Sequence, residues 1–258
     1  MLLAIDIGNT NTVFALFKSD KMAGAWRCVT SVSKTADEYA AFFLGLSNIN
    51  GYKGEITDVI ISSVVPETHI HIRQFCKSYL KNTPIFVTKD ILNVQVDLER
   101  PDEIGADRLV NTVAVIEHYQ SPAIVIDFGT ATTFDVIGEG GHYKGGSIAP
   151  GINLSVSALA QAASKLPKIS IKKPERIIGT DTVSAMQSGI YWGYVGLIEG
   201  ILERTIKEMD EKDNVLVLAT GGLAGTFKDD VRLINKVDND LTLKGLFAIF
   251  KTLKTLKG

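Results

Sequence analysis

A short pattern that occurs twice constrains this chain more than any other feature. Residues 2–14 read Leu-Leu-Ala-Ile-Asp-Ile-Gly-Asn-Thr-Asn-Thr-Val-Phe. An apolar run ends on the carboxylate of Asp6, turns through Gly8 and the small polar residues Asn9, Thr10, Asn11 and Thr12, and becomes apolar again. A buried strand, a tight corner and a second strand produce that order. Residues 124–134 repeat it, and without a gap Asp127 falls on Asp6, Gly129 on Gly8, Thr132 on Asn11 and Thr133 on Thr12. One such turn would read as ordinary turn chemistry. Two copies, one per half of the chain, point to a duplicated fold with a shared task.

The flanking sequence supports that organisation. Residues 12–18, 24–32, 59–64 and 84–88 read as strands. Thr35 and Glu38 form a capping-box start to a helix, Pro66 opens a second, and residues 106–119 carry an apolar stripe of Leu109, Val110, Val113 and Ala114. After the repeat, residues 143–148 and 214–219 read as strands, and 153–164, 182–209 and 241–256 as helices. Strands interleave with helices in both halves, so the class is α/β. The link Gln120-Ser121-Pro122 marks the boundary between expected domains 1–118 and 119–258. Glycines 189, 193, 196 and 200 recur along the long helix at spacings that place them on one side, which predicts close packing against a neighbouring helix of the fold or of a second subunit.

Composition removes some classes. With a formal net charge of −2 the chain lacks the basic surface that nucleic acid or an anionic membrane requires. Asp6 interrupts the first apolar run, no signal peptide is expected, and no run approaches the ~20 apolar residues of a spanning helix. The expected location is therefore the cytoplasm. Cys28 and Cys76 form no ligand pattern and read as thiols. His69, His71, His118 and His142 show no metal-binding spacing. Walker, dinucleotide-binding, zinc-protease and serine-hydrolase motifs are absent.

The duplicated turn is left as the leading candidate site. Small residues let backbone N–H groups approach an anion, and hydroxyls and amides add donors. Asn9, Thr10, Asn11 and Thr12 in the first copy, and Thr130, Thr132 and Thr133 in the second, fit a grip on phosphate. Asp6 and Asp127, where strand meets turn, suit a hydrated cation bridging phosphate oxygens. Thr220-Gly221-Gly222 is a third candidate turn. Gly105-Ala106-Asp107-Arg108 sits at the predicted start of a helix, where the dipole favours a carboxylate, although Asp107 there also reads as a simple cap. Gly179-Thr180-Asp181-Thr182 reads as an ordinary helix start.

Taken in order, Asp6-Ile7-Gly8-Asn9-Thr10, Gly105-Ala106-Asp107-Arg108, Asp127-Phe128-Gly129-Thr130 and residues 182–189 resemble the type III pantothenate kinases. The run at 146–153 and Thr220-Gly221-Gly222 extend the resemblance over nearly the whole chain. It implies two duplicated actin-like (ribonuclease H-like) domains with mixed sheets and a nucleotide cleft between them. It also implies ATP-dependent phosphorylation of pantothenate to 4'-phosphopantothenate, the first step of coenzyme A biosynthesis, by a homodimer. Mg2+ and a monovalent cation, K+ or NH4+, are the implied ions.

Carried over by position, Asp6, Ile7, Gly8, Asn9, Thr10, Asn11, Thr12 and Val13 match the ATP-phosphate loop, with Asp6 near magnesium. Asp107 matches the catalytic base, and Gly105, Ala106, Asp107 and Arg108 a pantothenate-contacting turn. Asp127 matches the monovalent-cation carboxylate, Thr130 an ATP contact and Thr182 a substrate contact. Leu98 stands where the family usually has a pantothenate-contacting tyrosine. Two other readings stay open: a non-catalytic actin-like nucleotide-binding regulator, and a kinase of another small hydroxy-acid.

Overall fold

The computed structural model describes residues 1–162, 167, 169–209 and 214–256. It divides into two compact units. The first comprises Met1–Gln95, Glu99–Tyr119 and the stretch from Asp240 onward; the second comprises Val96–Leu98 and Gln120–Asn239.

In the first unit, β1 (Leu2–Ile7), β2 (Asn11–Lys18), β3 (Lys21–Val29), β4 (Asp58–Ser63) and β5 (Ile85–Phe86) form one mixed sheet in the order β3-β2-β1-β4-β5. β1 pairs antiparallel with β2 and parallel with β4. Strand alternation sends Leu3, Ile5 and Ile7 to one face, where they meet α1 (Ala36–Ile49) and α2 (His69–Tyr79). The predicted capping box holds: Thr35 Oγ1 accepts from the Glu38 N–H, and Glu38 Oε2 accepts from the Thr35 N–H at 2.8 Å. Phe14 fills this side, its ring within 5.7–6.2 Å of Tyr39, Phe42, Phe43 and Phe75.

Leu2 and Ala4 face the other way, with Ala15, Phe17 and Ile60, onto α3 (Ala106–His118) and α7 (Leu241–Thr255). Leu246, Ile249 and Phe250 of α7 are buried in that layer. Thr242 donates to Asn111 Oδ1 of α3 at 2.8 Å. This corrects the expected domains. A cut at 118/119 leaves α7 with the second half, whereas its apolar stripe belongs to the first sheet. The stripe shows that α7 has a buried side but not which sheet it covers.

The second unit repeats the topology. β6 (Ala123–Phe128), β7 (Ala131–Ile137), β8 (Tyr143–Pro150), β9 (Leu216–Gly221) and β10 (Lys236–Val237) are ordered β10-β9-β6-β7-β8. β6 is antiparallel to β7 and parallel to β9, as β1 is to β2 and β4. One face, with Ile124, Ile126, Phe128 and Phe134, packs with α4 (Ile152–Ala162), α5 (Thr182–Glu208) and α6 (Ala224–Phe227). The end of the helix predicted over 153–164 lies outside the described residues. The duplication thus extends to whole five-stranded sheets, far beyond the hairpin visible as a repeat. Among the described residues no helix is long and apolar enough to cross a membrane.

Candidate active site

Asp6 is the fifth residue of β1 and shares a face with Leu2 and Ala4, so it points toward the layer built by α3 and α7. That layer covers Ala4 completely but stops short of the strand's end, and Asp6 is only half-buried. Its carboxyl is pushed up to about 7, first by burial and then by the negative charge of Asp107. Ser62, opposite Asp6 on β4, and Arg27 favour the ionised form. The buried Ser62 hydroxyl does so without a hydrogen bond of ordinary geometry.

Asp107 reaches this position from α3. Gly105 is the N-cap and caps with no side chain, so Asp107 occupies the second helical position and is not the capping residue. Its Oδ1 accepts the Arg108 N–H at 2.8 Å. A methyl group on residue 105 would stand 2.5 Å from that same oxygen, so glycine leaves the space the carboxylate fills. Val110, one turn along α3, is fully buried in the sheet layer. Its packing sets the helix so that its first turn, with Asp107, comes within electrostatic reach of Asp6.

The two carboxylates raise each other's cost of ionisation, and a divalent cation relieves that cost. Among the described residues no three His, Cys, Asp or Glu side chains converge on a metal position. The Asp6 carboxylate therefore suits Mg2+, since that ion is commonly held by one or two carboxylates and completes its shell with water and phosphate.

The turns differ from the gapless alignment. Ile7 pairs with Thr12, leaving residues 8–11 as the corner, and the Gly8 N–H donates to the Asn11 carbonyl at 3.0 Å. Phe128 pairs with Thr132, leaving only 129–131, and the Gly129 N–H donates to the Ala131 carbonyl at 3.1 Å. The second corner is one residue shorter, so Thr132 matches Thr12, and Thr133 matches Val13. Small polar residues on both sides conceal the deletion in sequence. The shift has chemical consequences. Thr12 and Thr132 are fully buried; Thr12 Oγ1 pairs with Thr30 Oγ1 at 2.8 Å, and Thr132 with the Tyr194 hydroxyl. Their hydroxyls are structural, and the Ile7 side chain lies in the core. Asn9 and Thr10 are exposed at the tip, Gly8 and Asn11 are half-exposed, and Val13 is a half-buried floor.

In the second unit Asp127 is half-buried and faces Thr133 on β7 and Thr220 on β9 in register. Gly221 has φ +90°, and a Cβ there would lie 2.7 Å from Asp127 Oδ1, so the predicted third turn cradles this carboxylate. Thr130 is exposed, and its carbonyl accepts the Gly151 N–H at 3.2 Å. A side chain at 151 would collide with that carbonyl, which explains the glycine in the 146–153 run. Thr182 opens α5, exposed, behind a capping box in which Asp181 accepts the Ser184 N–H at 3.0 Å. Leu98 belongs to the short segment that adds to β8: the Asp97 N–H donates to the Tyr143 carbonyl at 2.9 Å.

Asp6, Gly105, Ala106, Asp107 and Arg108 come together in the first unit, and Asp127, Thr130, Thr133 and Gly221 sit together in the second. Ser62 and Arg27 were not singled out from sequence. A serine in an apolar run and a lone arginine in a strand acquire meaning only from the register that sets them beside Asp6.

Known proteins bear on this geometry. A family model described as type III pantothenate kinase matches residues 2–204. A type III pantothenate kinase of Rhodospirillum rubrum is 50% identical over 254 residues, covering 97% of this chain and 98% of its own. Another, from Paramagnetospirillum magneticum, is 51% identical over 254 residues and 97% of both chains. Among solved structures, a Sinorhizobium meliloti protein assigned as a 2-dehydro-3-deoxygalactonokinase matches with a TM-score of 0.61 at 12% identity. The match covers 98% of this chain and 97% of that one, and at such identity it speaks to the fold alone.

Proposed function

This chain belongs to the type III pantothenate kinase family, and from that premise we propose that it transfers the γ-phosphoryl group of ATP to the primary hydroxyl of pantothenate, with Asp107 as the base. The observation that carries the proposal is the electrostatic coupling of Asp107, on the first turn of α3, to Asp6 at the end of β1. One carboxylate stands at the phosphate turn and the other beside it, where an acceptor hydroxyl needs orienting and deprotonating.

Phosphoryl transfer has a loose transition state, so the protein acts mainly by positioning and charge neutralisation. Asn9, Thr10 and Asn11 supply donors to phosphate oxygens, and Thr130 is a further ATP contact. Asp107 accepts the hydroxyl proton as the bond to phosphorus forms. Arg108, half-buried next to it, is the partner of the pantothenate carboxylate, and Thr182 is a further substrate contact. Asp6 holds magnesium, directly or through water, which when bound would offset the charge of the β- and γ-phosphates. Asp127, with Thr133 and Thr220 hydroxyls in register beside it, holds the monovalent cation.

The proposed working form is a homodimer. Gly189, Gly193 and Gly196 are exposed on one side of α5 with open space where each side chain would be. The predicted close packing is thus not met within the described residues. The same unit also exposes Ile148, Ile177, Ile178 and Leu154, apolar surface of the kind a second copy covers. Gly193→Glu should therefore shift the protein to monomer in analytical ultracentrifugation; an unchanged dimer places the interface elsewhere.

The decisive assay is ADP release with and without pantothenate, in potassium and then in sodium. Pantothenate-stimulated turnover that falls when sodium replaces potassium is the expected result. ADP release indifferent to pantothenate would instead make the chain a nucleotide-binding regulator or a kinase of another acceptor.

A further inference from the structure

We propose that Arg27 of β3 is a phosphate-binding residue of the transfer reaction, set in one row with Asp6 at the open end of the first sheet. The inference deepens the kinase reading and rests on it. It begins from register. Asp6 pairs with Val13 on β2, and Val13 pairs with Arg27 on β3, so the three residues lie in one row and point to one face. Two strand spacings, about 10 Å, separate the ends of that row. Val13, between them, is the half-buried floor.

Helix packing decides what this row can meet. One step back along the strands, Ala4 and Ala15 are fully buried under α3 and α7. At the row of Asp6, Val13 and Arg27 that cover has ended, and Arg27 is exposed. A long side chain over a small floor, at the edge of the helix layer, closes one side of a shallow tray whose opposite side is the carboxylate pair. The turn Gly8–Asn11 borders the same strand ends. Arg27 also has no hydrogen-bond or ion-pair partner among the described residues. Its charge nevertheless reaches Asp6.

The chemistry that recognises such a group is a polyphosphate. A guanidinium presents a planar fork of donors that matches two phosphate oxygens, and its charge is permanent. The tray needs that charge. Asp6 and Asp107 contribute two negative charges, which one divalent cation balances, leaving the triphosphate unneutralised apart from backbone donors. Arg27 supplies the fixed cation from the side opposite the carboxylates. Placed there, it binds the phosphate chain in the ground state and follows charge as it builds on the bridging oxygen in the transition state.

The test uses the full-length protein and two variants, Arg27→Gln and Arg27→Lys, with Mg-ATP, inorganic tripolyphosphate and adenosine as probes. Arg27→Gln should lose about 10²-fold in kcat/KM for ATP, in line with removal of one preorganised donor, while the KM for pantothenate stays within about twofold. By calorimetry its affinity for Mg-ATP and for tripolyphosphate should fall together, by about tenfold, with adenosine binding unchanged. Arg27→Lys keeps the charge without the fork and should recover part of the loss. A merely structural role would lower Tm and affect all three probes alike. Wild-type affinity for both polyphosphates in Arg27→Gln overturns the inference. A wild-type protein that binds tripolyphosphate through Arg27 but phosphorylates no pantothenate would sink the kinase reading and leave this one standing.

Discussion

Asp107→Asn is expected to lower kcat by about 10²–10⁴-fold, the range typical of losing a general base, while Mg-ATP binding changes little. The amide keeps the shape of the carboxylate and an oxygen to accept the Arg108 N–H, so α3 should start as before. It cannot take a proton from the acceptor hydroxyl. A second readout separates this from a diffuse defect. Asp107 is one of the two causes that raise Asp6. Its neutralisation should let Asp6 ionise at lower pH, and the pH dependence of stability should move the same way. Near wild-type turnover in Asp107→Asn would mean that another group is the base.

Asp6→Asn is expected to make the metal-free protein more stable above pH 7 and to abolish Mg-ATP binding. The sign follows from linkage. Asp6 is raised from 3.8 to about 7 in the folded protein. Below about pH 4 both folded and unfolded forms hold the proton, and the full contribution to stability is present. Between about 4 and 7 the unfolded carboxylate ionises first, so stability falls as pH rises and the loss is complete once pH passes the folded value. A shift of that size corresponds to roughly 4 kcal/mol, to order of magnitude. Asparagine carries no such slope, so the variant and wild type should diverge in denaturant midpoint as pH is raised from 5 to 8. Magnesium should reverse the difference, raising the wild-type Tm most at pH 8 and the variant's hardly at all. Parallel stability profiles for the two proteins in metal-free buffer would refute the raised Asp6 carboxyl.

Much of this is legible in the sequence. Residues 2–7 could only be a buried strand ending in a polar corner, and Thr35 with Glu38 specified where α1 begins. Asp6 and Asp127 stood out because strand-end carboxylates beside glycines recur in one order. The missing pieces share a physical cause: each depends on contacts remote in sequence. α7 has an obvious apolar stripe, but only packing assigns it to the first sheet. The deletion in the second turn changes no residue type, only which threonine turns inward, and that is read from strand pairing. Ser62 and Arg27 acquire meaning only through the rows β1–β4 and β1–β2–β3. The glycines of α5 signal a close approach, yet within the described residues the approaching partner is not part of the chain.

The placement of α7 has a consequence for how the protein comes into being. The ribosome makes the strands and α3 of the first unit, then residues 120–239 of the second unit, and only afterwards residues 241–255. Domains tend to fold in the order in which they emerge, but here the earlier one waits for the later. Until α7 arrives, Leu2, Ala4, Phe17 and Val110 lack the cover of Leu246, Ile249 and Phe250. The nascent first unit is thus an apolar sheet face exposed during translation of the second, and a natural client for a chaperone. Since α7 also fixes α3, the pair Asp6 and Asp107 is assembled at the last step of synthesis, and no truncated translation product ending before α7 carries it.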